Sequence, residues 1–202
     1  MIMQENMIRD DLSTKLIHLT KYGQNQNPSQ IFQKIISDGK LKGSNGFIKG
    51  GYKCICFSET PISKLGLILS NPNQQGFKYA PFGMMFNKDF IYELGGRPVI
   101  YQSDEEYDKL DEIQKYRHVR FEPNNGIDFT WEREWRLKVN ELYLDGSEVT
   151  LIVPTRNWIE YYKKVHIDEI SYKYGMLGDI AAMGIEVLRW HFLILEDLGI
   201  KF

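Results

Sequence analysis

Two acidic residues and a basic one alternate along one short segment of the chain. Glu132, Glu134 and Arg136 occupy every second position within the range Ile127 to Val139, where six of the seven odd positions are apolar. Because side chains alternate between the faces of a β-strand, this pattern predicts a strand that buries aromatic residues on one face and presents the charged groups on the other. A carboxylate pair held on a rigid strand can serve acid–base or electrostatic chemistry.

Two other interpretations of the segment remain open. Glu and Arg also favour helices, and a helix would place Trp131 and Trp135 on one face. Alternatively, the charged residues form the solvated face of an antiparallel strand, where they pair with neighbouring charges. Structural ion pairs are more common than catalytic ones, so this segment alone does not establish an active site.

Histidine and cysteine offer few further candidates for chemistry. His18 lies in an otherwise apolar segment and Thr20 follows two residues later, so a strand would place both side chains on one face. A buried polar pair needs hydrogen-bond partners, and a polar ligand is one way to provide them. Cys54 and Cys56 are spaced poorly for a disulfide, and zinc would need further ligands that are not grouped in the sequence. The common nucleotide and zinc motifs are absent, and no metal site is predicted.

The elements that must position these residues mix strands and helices. Strands are predicted at 15–20, 52–57, 79–86, 97–101, 127–139 and 148–153. A helix is predicted from Pro28 to Gly39, and shorter helices are predicted to begin near Pro61, Ser103 and Pro154. A long helix is predicted over residues 179–198, and its two apolar flanks indicate burial on two sides or a partner surface. Without strict alternation of strands and helices, the order favours an α+β fold.

Composition favours one globular domain over residues 1–202. The chain is 43% hydrophobic, which at 202 residues suits a single large core without metal or disulfides. A net charge of −2 disfavours nonspecific coating of a nucleic-acid backbone, although a local basic groove is compatible with it. We expect a cytoplasmic protein that does not span a membrane, because no apolar run suits a signal peptide or a membrane helix.

Several sequence blocks together resemble a known family. The layout runs from about Leu16 to Leu137 and includes the blocks FSETP, GGRPVIY and FTWEREWR. It resembles the abortive-infection (phage resistance) family called AbiGi, and more remotely it is similar to DarT-type nucleic-acid ADP-ribosyltransferases. The resemblance implies an ADP-ribosyltransferase-like fold, with a mixed, mostly antiparallel β core and flanking helices.

The same resemblance implies an NAD site and suggests roles for the candidate residues. Breaking the nicotinamide–ribose bond leaves positive charge on the ribose, which a fixed carboxylate stabilises. Glu134 matches that carboxylate, and Glu132 matches an acid that activates the acceptor. The positions that match NAD-binding residues are His18, Thr20, Ser58, Tyr79, Phe82, Arg97 and Arg136. Core packing is an equally good interpretation for the two aromatic residues, as is turn capping for Arg97 and simple pairing with Glu134 for Arg136.

Two functions from different classes follow from these expectations. The first is an NAD-dependent ADP-ribosyltransferase or NAD glycohydrolase in phage defence or a toxin–antitoxin-like system, with NAD as substrate and DNA, RNA or protein as acceptor. AbiGi-like proteins are also labelled antitoxins, which implies the second function, a non-enzymatic protein that binds another subunit through residues 179–198. The enzyme requires His18, Thr20 and Glu134 to converge on one open cleft, whereas a binding protein does not.

Overall fold

The computed structural model describes residues 11–22, 27–46, 48–70, 72–73, 76–174 and 190–201. The strands are β1 (Lys15–Lys21), β2 (Lys40–Lys42), β3 (Ile55–Ser58), β4 (Pro72–Asn73), β5 (Gly76–Phe77), β6 (Tyr79–Asn87), β7 (Arg97–Pro98), β8 (Ile100–Gln102), β9 (His118–Arg120), β10 (Glu134–Leu137), β11 (Glu141–Tyr143), β12 (Val149–Val153) and β13 (His191–Ile194). The α-helices are α1 (Pro28–Asp38), α2 (Leu65–Leu69), α3 (Lys88–Glu93) and α4 (Asn157–Tyr174). Short 3-10 turns cover Ile62–Lys64, Asp104–Lys109, Lys115–Arg117, Pro123–Asn125, Thr130–Glu132 and Glu196–Leu198.

One seven-stranded sheet organises the molecule, in the order β13-β12-β6-β1-β3-β10-β7. Its neighbouring strands pair antiparallel, except that β12 and β13 run parallel. Two-stranded pairings join β2 to β11, β4 to β5 and β8 to β9. The predicted α+β class with a mostly antiparallel core is therefore confirmed.

Apolar residues on both faces of the sheet create two cores. The larger core includes Phe32 of α1 together with Phe57 and Trp135 of the sheet. The smaller core gathers Ile17 and Leu19 of β1 with α2 and the C-terminal segment. Because β1 contributes to both cores, burial fixes its position at the centre of the sheet.

Helix α1 begins and ends where the sequence predicts. The Asn27 side chain accepts a hydrogen bond from the Ser29 amide at 3.0 Å, and Pro28 occupies the first turn, where a missing amide proton costs nothing. Gly39 ends the helix with a φ of 64°, a left-handed conformation that favours glycine. This helix covers the larger core beside the cleft described below.

The sheet opens between β1 and β3. These strands share one register pair, Ile17 with Ser58, whereas the register of β1 with β6 runs from Lys15 to Lys21. Beyond the Ile17–Ser58 pair, the contact between the strands is made by a side chain, because the imidazole of His18 binds the Cys56 carbonyl oxygen of β3. The opening therefore divides the sheet into a half containing β1, β6, β12 and β13 and a half containing β3, β10 and β7.

Two predictions need correction, and one helix was not predicted. The strand predicted at 127–139 is interrupted, because Thr130–Glu132 form a 3-10 turn and Arg133 has a φ of 46°, so only Glu134–Leu137 are extended. Helix α3 lies between the strands predicted at 79–86 and 97–101, where no helix was predicted. The predicted helix at 179–198 is wrong over its final residues, because His191–Ile194 pair with β12 as a parallel strand, while residues 179–189 lie outside the described ranges.

Across the ranges given above, no helix combines the length and hydrophobicity needed to cross a membrane.

Candidate functional site

A cavity of about 590 Å³ lies at the opening between β1 and β3, and we call it the cleft. Its volume is within the range typical of small-molecule and cofactor sites. Seven of the nine candidate residues line it, namely His18, Thr20, Ser58, Tyr79, Glu132, Glu134 and Arg136. Helix α1, the end of β2 and the loop after it also contribute to the wall, through Ile31, Ile35, Lys42, Ser44, Gly46 and Ile48. The structure therefore brings together residues that lie far apart in sequence.

Glu134 and Arg136 face the cleft from one side of β10. The Arg136 Nε donates to Glu134 Oε1 at 2.8 Å, and Nη2 lies 3.4 Å from Oε2. Arg136 is buried, and its Nη1 also donates to the carbonyl oxygens of Tyr116 at 2.8 Å and His118 at 2.9 Å. Two backbone carbonyl oxygens thus hold the guanidinium, which in turn holds the Glu134 carboxylate in one orientation.

Cys56 is a further wall residue, opposite Arg136 in the pairing of β3 with β10. Burial, together with the charge of Glu134 and a hydrogen bond to it, raises the pKa of the Cys56 thiol to about 12. Cys56 is therefore a neutral thiol at pH 7, where it donates to the carboxylate and is a poor nucleophile.

Glu132 reaches the cleft from the 3-10 turn and not from the strand. The left-handed Arg133 between the two acids breaks the alternation, so strand register does not set the direction of the Glu132 side chain. Its carboxylate contacts the Lys78 ammonium, and the Tyr79 hydroxyl lies 3.3 Å from Oε2. Burial, reinforced by the charges of Glu132 and Glu134, raises the pKa of Tyr79, which keeps its phenol protonated and able to donate.

Ser58 fastens the turn that carries Glu132. Its Oγ donates to the Glu132 carbonyl oxygen at 2.6 Å and accepts from the Thr60 amide at 3.2 Å. The adjacent Glu59 amide donates to the Arg133 carbonyl oxygen at 3.0 Å. Ser58 therefore has a clear structural role in addition to its place in the cleft wall.

His18 is held as a neutral imidazole. Its Nδ1 lies 2.8 Å from the Cys56 carbonyl oxygen, and burial lowers the pKa of the ring despite that hydrogen bond. Because a carbonyl can only accept, Nδ1 carries the proton and Nε2 is an acceptor. Thr20 is buried, and its hydroxyl donates to the Phe82 carbonyl oxygen at 2.9 Å.

Phe82 and Arg97 lie away from the cleft wall. The Phe82 ring packs in the larger core, with its centroid 5.4 Å from that of Phe32 and 4.9 Å from that of Trp158. The Arg97 guanidinium lies 3.9 Å from the centre of the Tyr92 ring and donates to the carbonyl oxygens of Tyr92 and Gly96 after α3. Core packing and turn capping account for their observed contacts.

Sequence reasoning missed Lys78, Cys56 and Trp131 as residues of this site. Cys56 had a detectable signal, because a strand places it on the same face as Ser58. Lys78 and Trp131 had none, because their proximity depends on a turn folding over the start of β6. In the part of the chain that the structure describes, no three His, Cys, Asp or Glu side chains gather as metal ligands.

The chemistry available in the cleft is that of a fixed carboxylate beside neutral hydrogen-bonding groups. Glu134 can stabilise a developing positive charge, His18 can accept a hydrogen bond, and Glu132 can take a proton. No family model, curated protein or solved structure matches the chain. Function must therefore be inferred from the cleft residues themselves.

Proposed function

We propose that the protein is an NAD-consuming enzyme, an ADP-ribosyltransferase or NAD glycohydrolase with an ADP-ribosyltransferase-like fold. The observation that carries the proposal is that His18 and Glu134 line one cleft although 116 positions separate them (134 − 18). A sheet that opens between two strands, with a carboxylate on one side and a neutral imidazole on the other, supports a site for an extended polar ligand.

Glu134 is suited to stabilise the ribosyl cation. Loss of nicotinamide breaks the C1′–N bond, and the bonding electron pair leaves with the nicotinamide nitrogen, so positive charge develops on the ribose. A carboxylate already held by the buried Arg136 needs no reorientation as that charge develops. The neutral His18 imidazole offers Nε2 to a ribose hydroxyl, since burial disfavours its charged form.

The diphosphate contact suggested for Arg136 is better assigned elsewhere. Its guanidinium already binds Glu134 and two backbone carbonyl oxygens. Lys21 and Lys42 also line the cleft, and both are exposed at its edge. Lys42 pairs with Asp38 at 3.3 Å, but that contact is exposed, so the two ammonium groups are better placed than the buried Arg136 to meet the negative charge of a diphosphate.

The biological setting of this activity is part of the proposal. The resemblance to AbiGi suggests phage defence or a toxin–antitoxin-like role in the cytoplasm, with DNA, RNA or protein as the acceptor of ADP-ribose. The alternative, a non-enzymatic antitoxin that binds a partner through a helix at 179–198, loses support because residues 191–194 belong to the sheet. We therefore favour the enzyme.

The deciding experiment is incubation of the purified chain with NAD, followed by detection of free nicotinamide. We expect nicotinamide release, and we also expect millimolar NAD to raise the melting temperature. A ligand present at 100 times its Kd adds about 2.7 kcal/mol of stability, which is readily measured. If millimolar NAD gave no nicotinamide release, the proposed function would be overturned, even if NAD raised the melting temperature.

A further inference from the structure

Lys78 occupies a cage at the rim of the cleft. Its ammonium pairs with the Glu132 carboxylate and lies 5.2 Å from the centre of the Tyr79 ring, 5.9 Å from that of Phe129 and 5.6 Å from that of Trp131. The Lys78 side chain is 28% exposed and that of Glu132 is 13% exposed. An ammonium that meets one carboxylate and three aromatic faces is held in a defined position, because both kinds of contact are electrostatically attractive.

Glu132 lies in a 3-10 turn, so strand register does not set the direction of its side chain. Its carboxylate therefore depends on side-chain contacts for its position. Ser58 fastens the turn through the Glu132 carbonyl oxygen, and Asp128 accepts from the Thr130 amide at 2.8 Å. These bonds hold the main chain of the turn and leave the Glu132 side chain to rotate. The contacts that fix its carboxylate come from Lys78 and the Tyr79 hydroxyl, both at the start of β6.

We propose that Lys78 is a positioning residue that holds Glu132 for removal of the acceptor proton. This inference rests on the proposed function. After the C1′–N bond of NAD breaks, an acceptor oxygen forms a bond to C1′ and its proton passes to the Glu132 carboxylate. Lys78 does not touch the reacting atoms, and it acts by keeping that carboxylate at the rim of the cleft.

The test exploits two acceptors that differ in their need for a base. Methanol must lose a proton when it captures the ribosyl group, whereas the nitrogen of 3-acetylpyridine attacks with a lone pair and loses none. Each protein is incubated with NAD and both acceptors, and the ratio of methyl-ADP-ribose to the acetylpyridine dinucleotide is measured. A merely structural lysine would change the amounts of both products and leave their ratio unaltered.

We expect Lys78→Met to lower the methanol-to-pyridine product ratio by about tenfold or more, because a displaced base contributes less to proton transfer. Glu132→Gln should lower the ratio in the same way. Lys78→Arg should keep the ratio near that of the wild type, because the positive charge is retained. Lys115→Met is the matched control: Lys115 also pairs with a carboxylate, Glu112 at 3.2 Å, and lies 5.4 Å from the Tyr107 ring centre, away from the cleft wall. Its product ratio should equal that of the wild type.

Different failures point to different errors. A wild-type protein that releases no nicotinamide would overturn the proposed function and the role of Lys78 with it. An active wild type, with an unchanged ratio in Lys78→Met, would overturn the role of Lys78 alone. Lys78→Gln is measured in parallel, and unfolding of both variants in melting experiments would make Lys78 an architectural residue and also overturn the inference.

Discussion

The chain contains two Glu–Arg pairs with the same two-residue spacing, one in the wall of the cleft and one on the surface. In the surface pair, Arg120 Nη2 lies 2.7 Å from Glu122 Oε2, and in the cleft pair Arg136 Nε lies 2.8 Å from Glu134 Oε1. The Arg120 side chain is 50% exposed, whereas that of Arg136 is 7% exposed. Burial of the arginine is therefore the main difference between them, since the two glutamate side chains are similarly buried, at 17% and 14% exposed.

The two carboxylates also differ in their hydrogen-bond partners. Glu122 accepts from Arg120, from Asn125 at 3.0 Å and from the Asp104 amide at 3.1 Å, and these contacts lower its pKa to about 2. Arg120 ends β9, and Asn125 and Asp104 lie in two 3-10 turns. Glu134 is instead oriented by Arg136 toward the cleft. Two pairs with the same sequence spacing therefore differ in what they can do. The burial and hydrogen-bond partners of each residue decide whether the pair is a candidate for chemistry.

Replacing the arginines should show the largest difference between the pairs. Arg136→Met leaves the Glu134 carboxylate and two backbone carbonyl oxygens without their buried donor, so we expect the free energy of unfolding to fall by about 3–5 kcal/mol. Arg120→Met should lose much less stability, because water can replace most of the contacts of its half-exposed guanidinium. Urea denaturation measures both variants, and equal stabilities would show that burial does not separate the pairs.

Replacing the acids should separate them in activity. Under the proposed function, Glu134→Gln removes the charge that would stabilise the ribosyl cation, so we expect nicotinamide release to slow by about a hundredfold or more. Glu122→Gln is the matched control and should retain the wild-type rate. The amide oxygen introduced by Glu134→Gln can still accept from Arg136, so the stability loss should be smaller than that of Arg136→Met. Full activity in Glu134→Gln would remove this residue from the mechanism.

The kink beside the cleft pair should respond to backbone chemistry. A left-handed conformation costs a residue with a Cβ about 1–2 kcal/mol, and a β-branched residue adopts it least readily. Arg133→Val should therefore lower the free energy of unfolding by about 1–2 kcal/mol more than Arg133→Gly does. Both variants lose the 2.9 Å ion pair with Asp11, so that loss cancels in the difference between their unfolding midpoints. Identical midpoints would mean that position 133 bears no such cost.

The smallest effect should be a pH dependence of the surface pair. The pKa of Glu122 is about 2 in the folded chain, below its ordinary value of 4.5, so its stabilising contribution is complete above that ordinary value. The contribution is lost as the pH falls from there toward 2. We therefore expect the melting temperatures of the wild type and Glu122→Gln to differ most near neutral pH and to converge under acid conditions. A constant difference would show that the charge of Glu122 is not the source of its contribution.

The parts of the fold that carry local signals were predictable from sequence. Pro28 and Gly39 bound α1, and apolar segments mark β1, β6 and β12. Ser103 and Glu106 form a capping box where a helix is predicted to begin, although the box begins a 3-10 turn and not an α-helix. Such features depend on residues within a few positions of one another, so a single sequence contains the information needed to predict them.

The parts that failed depend on conformations or partners that are distant or unmarked. Arg133 adopts a left-handed conformation that is usual for glycine. The sequence has no glycine or asparagine at that position to indicate a turn, so the alternating pattern wrongly predicted a continuous strand. Phe192 and Leu193 fit the flank of a helix, but pairing with β12 makes them part of a strand. In the candidate site, seven residues suggested by resemblance do converge, whereas Lys78 could not be found because its cage forms across more than fifty positions.

β1 and β3 share one register pair, so the backbone joins them less extensively than it joins β1 and β6. Backbone amides of β3 that face the opening lack the continuous ladder that protects those between β1 and β6, so their hydrogens should exchange with deuterium sooner. A ligand bound across the opening would contact both halves of the sheet and link them reversibly. Slower deuterium uptake in both β1 and β3 when NAD is added would show that bound NAD stabilises both strands at the opening, where few backbone hydrogen bonds join them.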